Sequence, residues 1–223
     1  VLGELTAKYG AAIAPVMPSM KGPTLLIDGG ANLECKPTDL AQFGLMGSIY
    51  MHRALGVENP KVGLVSNGAE PEKGPELVRE AHQLMKTMPY NFIGNIEARD
   101  YPWGAVDVAV ADGFSGNIVL KTYEGAASAV TAMLKQAILS GGPRAKLGAG
   151  LLKPTLGAFK RKMDYTEYGG ALFLGVRHIV VKAHGSSNAD SFYNAIRQAH
   201  EAQEAGVVDH ITQGIASATP AQP

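Results

Sequence analysis

Five short runs of this chain are apolar almost without a break: TLLID (24–28), KVGLVS (61–66), NFIGNI (91–96), VDVAVA (106–111) and HIVVKA (178–183). A strand with one solvated face alternates apolar and polar residues, whereas a strand covered on both faces has no need to. The runs therefore require a sheet buried between layers, and helical patterns lie between them. Residues 38–56 place Leu40, Phe43, Leu45, Met46, Ile49 and Tyr50 at helical spacing behind a Thr38 cap. Residues 75–88 begin with Pro75 at a first helical position and bury Leu77, Ala81, Leu84, Met85 and Met88. Ser115 caps a long helix to about Leu139, residues 189–205 form another that Gly206 stops, and a short last helix fades into SATPAQP. Strand alternating with helix predicts an α/β fold, with a mainly parallel sheet flanked by helices over a single domain, 1–223. In such a sheet the C-terminal strand ends lie along one edge, where ligands bind.

Composition removes several classes of function. The net charge is zero, so nothing global attracts nucleic acid. One cysteine, Cys35, excludes an intrachain disulfide framework and a cysteine-based zinc site, and suits a cytoplasmic protein. No apolar run approaches the ~18 residues of a membrane span.

Four junctions carry the unusual residues. They are Asp28-Gly29-Gly30-Ala31-Asn32, the stretch from Ser66 through Asn67, Gly68 and Lys73 to Gly74, Asp112-Gly113-Phe114-Ser115-Gly116-Asn117, and His184-Gly185-Ser186-Ser187. Each mixes glycine with a small hydrogen-bonding side chain and precedes a helix. A helix N-terminus presents unpaired N–H groups and about half a positive charge, so it holds anions readily. Ordinary turns and caps also use these residues, but amides at Asn32, Asn67 and Asn117 and a cation at Lys73 favour anion recognition, most simply of phosphate. Asn117 is a neutral donor suited to an oxyanion, and Lys73 suits phosphate or developing negative charge. His184 reads as either a structural hydrogen-bonder or a phosphate contact.

Absent motifs narrow the chemistry. No G-x-G-x-x-G follows a strand, no G-x-x-x-x-G-K-[ST] occurs, and no G-x-S-x-G elbow is present. The other histidines, at 52, 82, 178, 200 and 210, read as helix or strand-edge residues. With no H-x-x-x-H spacing, no metal or other cofactor is expected. Asp28, Glu70, Asp100 and Asp112 could gather, without amounting to a magnesium site. An acyl-cysteine at Cys35 is the lesser expectation.

Long stretches of the chain resemble a known family. They are KGPTLLIDGGAN (21–32), QFGLMGSIY (42–50), KVGLVSNGAEPEKGPEL (61–77), NFIGNIEARD (91–100), DGFSGNIVLKTYEG (112–125), YGGALFLG (168–175) and VVKAHGSSNADSFYNAIRQA (180–199). In this order they resemble the bacterial phosphate acyltransferases of phospholipid synthesis, the PlsX family. The resemblance covers the C-terminal two-thirds of the family chain, and the family's first third has no counterpart here. It implies a fold shared with phosphate acetyltransferases and the isocitrate/isopropylmalate dehydrogenases, usually as a homodimer. It also implies transfer of an acyl group from acyl carrier protein to inorganic phosphate, giving an acyl phosphate that a glycerol-3-phosphate acyltransferase uses downstream. The catalytic lysine and asparagine it implies match Lys73 and Asn117. Asn32, Asn67, Gly68, Gly113, Ser115, Gly116, His184, Gly185 and Ser186 become the expected phosphate or substrate contacts. The family commonly has Asn where Pro75 stands, so that helix start is altered. The rival within the fold is a phosphate acetyl- or butyryltransferase acting on a short acyl-CoA; outside it, a non-catalytic binding remnant.

Residues 138–163, ILSGGPRAKLGAGLLKPTLGAFKRKM, are basic and amphipathic, and Pro154 divides them into two short helices. They read as a solvated hairpin, or as a protruding tip whose Lys146, Leu147, Leu151, Leu152 and Lys153 meet an anionic membrane or acidic carrier protein. The resemblance favours peripheral membrane association.

Overall fold

The structure, a computed structural model, describes residues 11–163, 170–183 and 187–218. One seven-stranded sheet runs β4–β3–β5–β2–β1–β6–β7. Its strands are β1 (Ala12–Pro18), β2 (Pro23–Ile27), β3 (Lys61–Ser66), β4 (Asn91–Glu97), β5 (Val108–Val110), β6 (Ala171–Leu174) and β7 (Val180–Lys182). The helices are α1 (Pro37–Leu55), α2 (Glu76–Met85), α3 (Gly113–Ser140), α4 (Gly142–Leu151), α5 (Lys153–Met163), α6 (Ala189–Glu204) and α7 (Val207–Ala218), with a 3₁₀ segment at Ala98–Trp103.

The four strands β4, β3, β5 and β2 pair parallel, as their unbroken apolar runs require. The other half of the sheet is antiparallel, through β2–β1, β1–β6 and β6–β7. The sheet is therefore mixed, and β7, expected in the parallel set, runs the opposite way. Two strands, β1 and β6, have no counterpart among the five apolar runs. Pro15 and Pro18 argue against a central strand, since proline cannot donate to a ladder, yet β1 lies between β2 and β6 and is almost wholly buried. Strand β6 is only four residues long.

Alternation along each strand divides the core. Leu25, Ile27, Val108 and Val110 join α1, α2 and α7 in the larger cluster. Their neighbours Leu26 and Ala109 face the other way, into a smaller cluster with Met17, Ile96, Tyr101 and Val106, against which Val119, Leu120 and Tyr123 of α3 pack. Helix α1 lies close to the sheet because Gly47 leaves no side chain: a Cβ there would sit 2.6 Å from Val108 Cγ1.

Helix starts differ from expectation in who caps them. Helix α1 begins at Pro37, one residue before Thr38, and Asp39 accepts from the Lys36 N–H at 2.7 Å. Pro75 precedes α2 as its cap residue. Asp112, not Ser115, caps α3: its carboxylate accepts from Ser115 N at 2.9 Å. Carboxylates make strong caps because they accept at the positive end of the helix dipole. Two helices follow α3, with the break at Leu152, two residues before Pro154.

Candidate active site

Register fixes which junctions meet. Ile27 pairs with Val110, and Leu64 with Val110, so β2 and β5 end level and β3 runs two residues further in the same direction. Neighbouring strands lie about 4.8 Å apart, which sets the 28–32 and 66–74 loops on either side of the 112–117 turn. Three of the four junctions thus share an edge. The fourth follows β7, which points away from that edge because it is antiparallel; His184, Gly185 and Ser186 themselves lie outside the described residues.

The 28–32 turn does not present its N–H groups to solvent. It wraps them around its own carboxylate. Asp28, 0% exposed, accepts from Gly30 N, Ala31 N and Asn32 N, from Ile13 N across β1, and from the Asn32 side chain at 2.8 Å. Asn32 also donates to Ala11 O, so its amide braces the turn.

The start of α3 is likewise occupied. Gly113 N donates to Asn32 O at 2.7 Å and Gly116 N to Asp112 O, while Ser115 N meets the Asp112 carboxylate. A Cβ on Gly113 would lie 2.5 Å from Asn32 O, and one on Gly116 only 1.9 Å from Asp28 O. The two glycines therefore let the helix start press onto the 28–32 backbone. What this contact delivers is Asn117, exposed, with one amide N–H donating to Gly29 O at 3.1 Å. A primary amide has two N–H donors, so one remains for a ligand.

The 66–74 loop is held from beneath. His82, 2% exposed, bonds through Nδ1 to Asn95 Oδ1 at 2.8 Å, and the Asn95 amide donates to Glu70 O. The Lys73 N–H donates to the same carbonyl at 3.1 Å. Gly74 turns with φ of +96°, a conformation that favours glycine. Gly68 is buried beneath the loop, a Cβ there meeting the Lys73 stem at 3.0 Å. Asn67 and Lys73 are exposed, and Lys73 makes no ion pair among the described residues.

A cleft of about 150 Å³ opens beside Asn117. Gly29, Gly30, Ile13 and Pro15 form its sheet side, Leu120, Lys121 and Glu124 its α3 side, and Lys182, Ala183, Ser187 and Ser191 its far wall. The flanks of the fourth junction thus meet Asn117 across the face of the sheet. Lys73 does not line this cleft. Lys121 and Lys182 were not anticipated from sequence; Lys121 lies one turn beyond Asn117, a spacing that could have exposed it.

The remaining candidates are accounted for. Cys35 donates to Asn32 O at 3.5 Å, and burial, with the charges of Asp39, Asp28 and Asp112, pushes its thiol up to about 11. A thiol so rarely ionised is a poor nucleophile. Asp28 and Asp112 are committed to backbone N–H groups, as is Asp100, which accepts from Glu97 N. No cluster of metal-ligating side chains occurs among the described residues.

Sequence comparison assigns the class: the chain belongs to the fatty acid synthesis protein family, which it matches over residues 3–210. It is 51% identical over 217 residues to the phosphate acyltransferase of Alkaliphilus oremlandii, and 52% identical over 215 residues to that of Clostridium novyi. These alignments cover 97% and 96% of this chain and 64% of each relative, so the chain spans somewhat under two-thirds of their length. The fold is that of the EutD phosphotransacetylase from Staphylococcus aureus (TM-score 0.55, 15% identity, 90% of this chain and 56% of that one). A branched-chain phosphotransacylase from Enterococcus faecalis shares it, with TM-score 0.50 and 16% identity over 86% of this chain and 64% of that one.

Proposed function

We propose that the protein carrying this chain transfers a long-chain acyl group from acyl carrier protein to inorganic phosphate, releasing an acyl phosphate. The observation that carries the reading is the presentation of Asn117: a buried backbone contact, possible only with Gly113 and Gly116, sets an amide with a spare donor at the mouth of a cleft. Membership of a fatty acid synthesis family supports a long acyl chain over a short one.

Phosphate attacks the thioester carbonyl directly. The phosphate oxygen bonds to the acyl carbon, the carbonyl oxygen takes the negative charge, and the carbon–sulfur bond then breaks to release the carrier thiolate. Asn117 donates to the oxyanion or to phosphate, and Lys73 supplies a positive charge from the neighbouring loop. Orientation provides much of the gain, because phosphate is already an anionic nucleophile. Asn67, Gly68, Ser115 and the His184-Gly185-Ser186 junction complete the phosphate and substrate surroundings; Asn32, Gly113 and Gly116 act through the shape of the turn. The acyl phosphate passes to a glycerol-3-phosphate acyltransferase.

The α4–α5 tip makes a peripheral membrane contact, and the protein works as a homodimer. Nothing in α4 is buried: Leu147 and Leu151 are 70% and 78% exposed beside Lys146 and Lys153. No helix among the described residues is long and apolar enough to cross a membrane.

The test is hydroxylamine trapping of acyl phosphate from acyl-(acyl carrier protein) and phosphate. Loss of one oxyanion donor typically lowers kcat about 10²–10³-fold, so Asn117→Ala should fall by that order and Lys73→Ala should lose activity as well. Full activity in both variants would overturn the assignment.

A further inference from the structure

Strand β4 carries one irregularity. Against β3, Val62 pairs with Phe92 but Gly63 pairs with Gly94, so Ile93 is an extra residue, and Gly94 takes a φ of +103°. An extra residue reverses the alternation of side chains and re-aims those beyond it. Phe92 packs with the larger core cluster beside α2, whereas Ile96, four residues on, falls in the smaller cluster on the other face. Regular alternation would have put both on one face. The bulge therefore turns Asn95 toward α2, where its Oδ1 meets His82 Nδ1. The other buried residues of α2, Val78, Ala81 and Met85, are apolar. Because the Asn95 amide donates to Glu70 O, its Oδ1 is the atom left for His82, and Nδ1 carries the imidazole proton. Nε2 is then a bare acceptor, buried without a partner. Such burial costs stability that an apolar side chain would not lose. What the pair gains is a single outlet, the Glu70 carbonyl.

We propose that Asn95, oriented by His82, is a positioning residue for Lys73, an inference that rests on the transfer reaction proposed above. The Glu70 carbonyl opens the turn Glu70-Pro71-Glu72-Lys73 and also accepts from the N–H that closes it, on Lys73. Pro71 presets the second position of such a turn. All four turn residues are exposed, so packing does little to hold them. The Asn95 amide ties the turn to a buried point on the sheet, and so fixes where the Lys73 side chain begins. A packing role alone would require neither a donor at position 95 nor the bulge that aims it.

The test is Asn95→Asp, which keeps an acceptor for His82 and replaces the donor to Glu70 O with a second oxygen. Hydrogen exchange of the Lys73 amide, read by NMR, should quicken about fivefold to tenfold while the amides of β3 stay as slow as in wild type. In the transfer assay with palmitoyl carrier protein and inorganic phosphate, kcat should fall about 10–100-fold. The same substitution made on Lys73→Ala should cost less than about twofold further, because it acts through Lys73. A second pair of variants separates the hydrogen bond from the ring. His82→Asn keeps an N–H at the Nδ1 position, and His82→Gln moves it to the unpartnered Nε2 position. Both lose the ring, and only His82→Gln should reproduce the Asn95→Asp pattern. Circular dichroism establishes that the variants fold. Equal losses from Asn95→Asp with and without Lys73, or unchanged Lys73 exchange in Asn95→Asp and His82→Gln, would overturn the positioning role. The predicted exchange pattern without phosphate-dependent transfer by wild type would leave the tie standing and defeat the transfer reaction instead.

Discussion

Two glycines of α3 should respond to the same substitution with opposite signs. Gly116→Ala puts a Cβ 1.9 Å from Asp28 O, and the obstacle is backbone, with no flexible side chain to swing aside. Either α3 or the 28–32 turn must move, and that turn is pinned by the N–H groups around Asp28. Overpacking of this kind costs typically 1–3 kcal/mol, and so close an approach sets the expectation near the top, about 3 kcal/mol. Gly125→Ala, nine residues on, meets nothing within 4 Å and is exposed in the helix interior. There the only change is propensity, a gain of about 0.8–1.0 kcal/mol. At roughly 2–4 °C per kcal/mol for a chain of this size, Gly116→Ala should lower Tm by about 6–12 °C and Gly125→Ala raise it by about 2–4 °C. Thermal unfolding followed by circular dichroism measures both. A Gly116→Ala variant as stable as wild type would refute the contact, and with it the account of how Asn117 is presented.

Asp28→Asn replaces an acceptor with a donor facing other N–H donors, and should cost about 3 kcal/mol in urea unfolding. The Cys35 thiol, pushed up to about 11, should alkylate with iodoacetamide about a hundredfold more slowly at pH 8 than a free cysteine of pKa ~8.5, the rate rising until the pH passes that higher value. Labelling as fast as a free thiol would contradict its burial. Leu147→Glu combined with Leu151→Glu should abolish co-sedimentation with vesicles containing anionic lipid while leaving Tm unchanged, since both side chains are exposed.

Continuous apolar runs made β2, β3, β4 and β5 legible from sequence, along with the parallel half of the sheet. Helical periodicity likewise located α1, α2, α3 and α6 to within a few residues. Strand β1 escaped because its two prolines suppress the signal that a buried strand normally gives, although pairing on either side survives. The direction of β7 was not legible either: an apolar run reports burial, not polarity. Of the junctions that glycine and asparagine singled out, three meet on one edge of the sheet. Gly113 and Gly116 read as phosphate or substrate contacts, but what lies against them is the backbone of residues 28–32. The nest at Asp28-Gly29-Gly30 looked like an anion site and is one, for the chain's own carboxylate. Such distinctions depend on which distant segment arrives, and no local pattern carries that. Lys182 was missed for the same reason, since it reaches the cleft from the end of an antiparallel strand, whereas Lys121 follows Asn117 by one helical turn.

The most direct measurement follows free carrier-protein thiol during a single turnover, with and without inorganic phosphate. Direct attack predicts no thiol release until phosphate is added, then release matched one-to-one by trapped acyl phosphate, and slowed by Asn117→Ala in both readouts. A burst of thiol equal to the protein concentration in the absence of phosphate would contradict the account, because it would require the acyl group to pass first to a side chain of the protein.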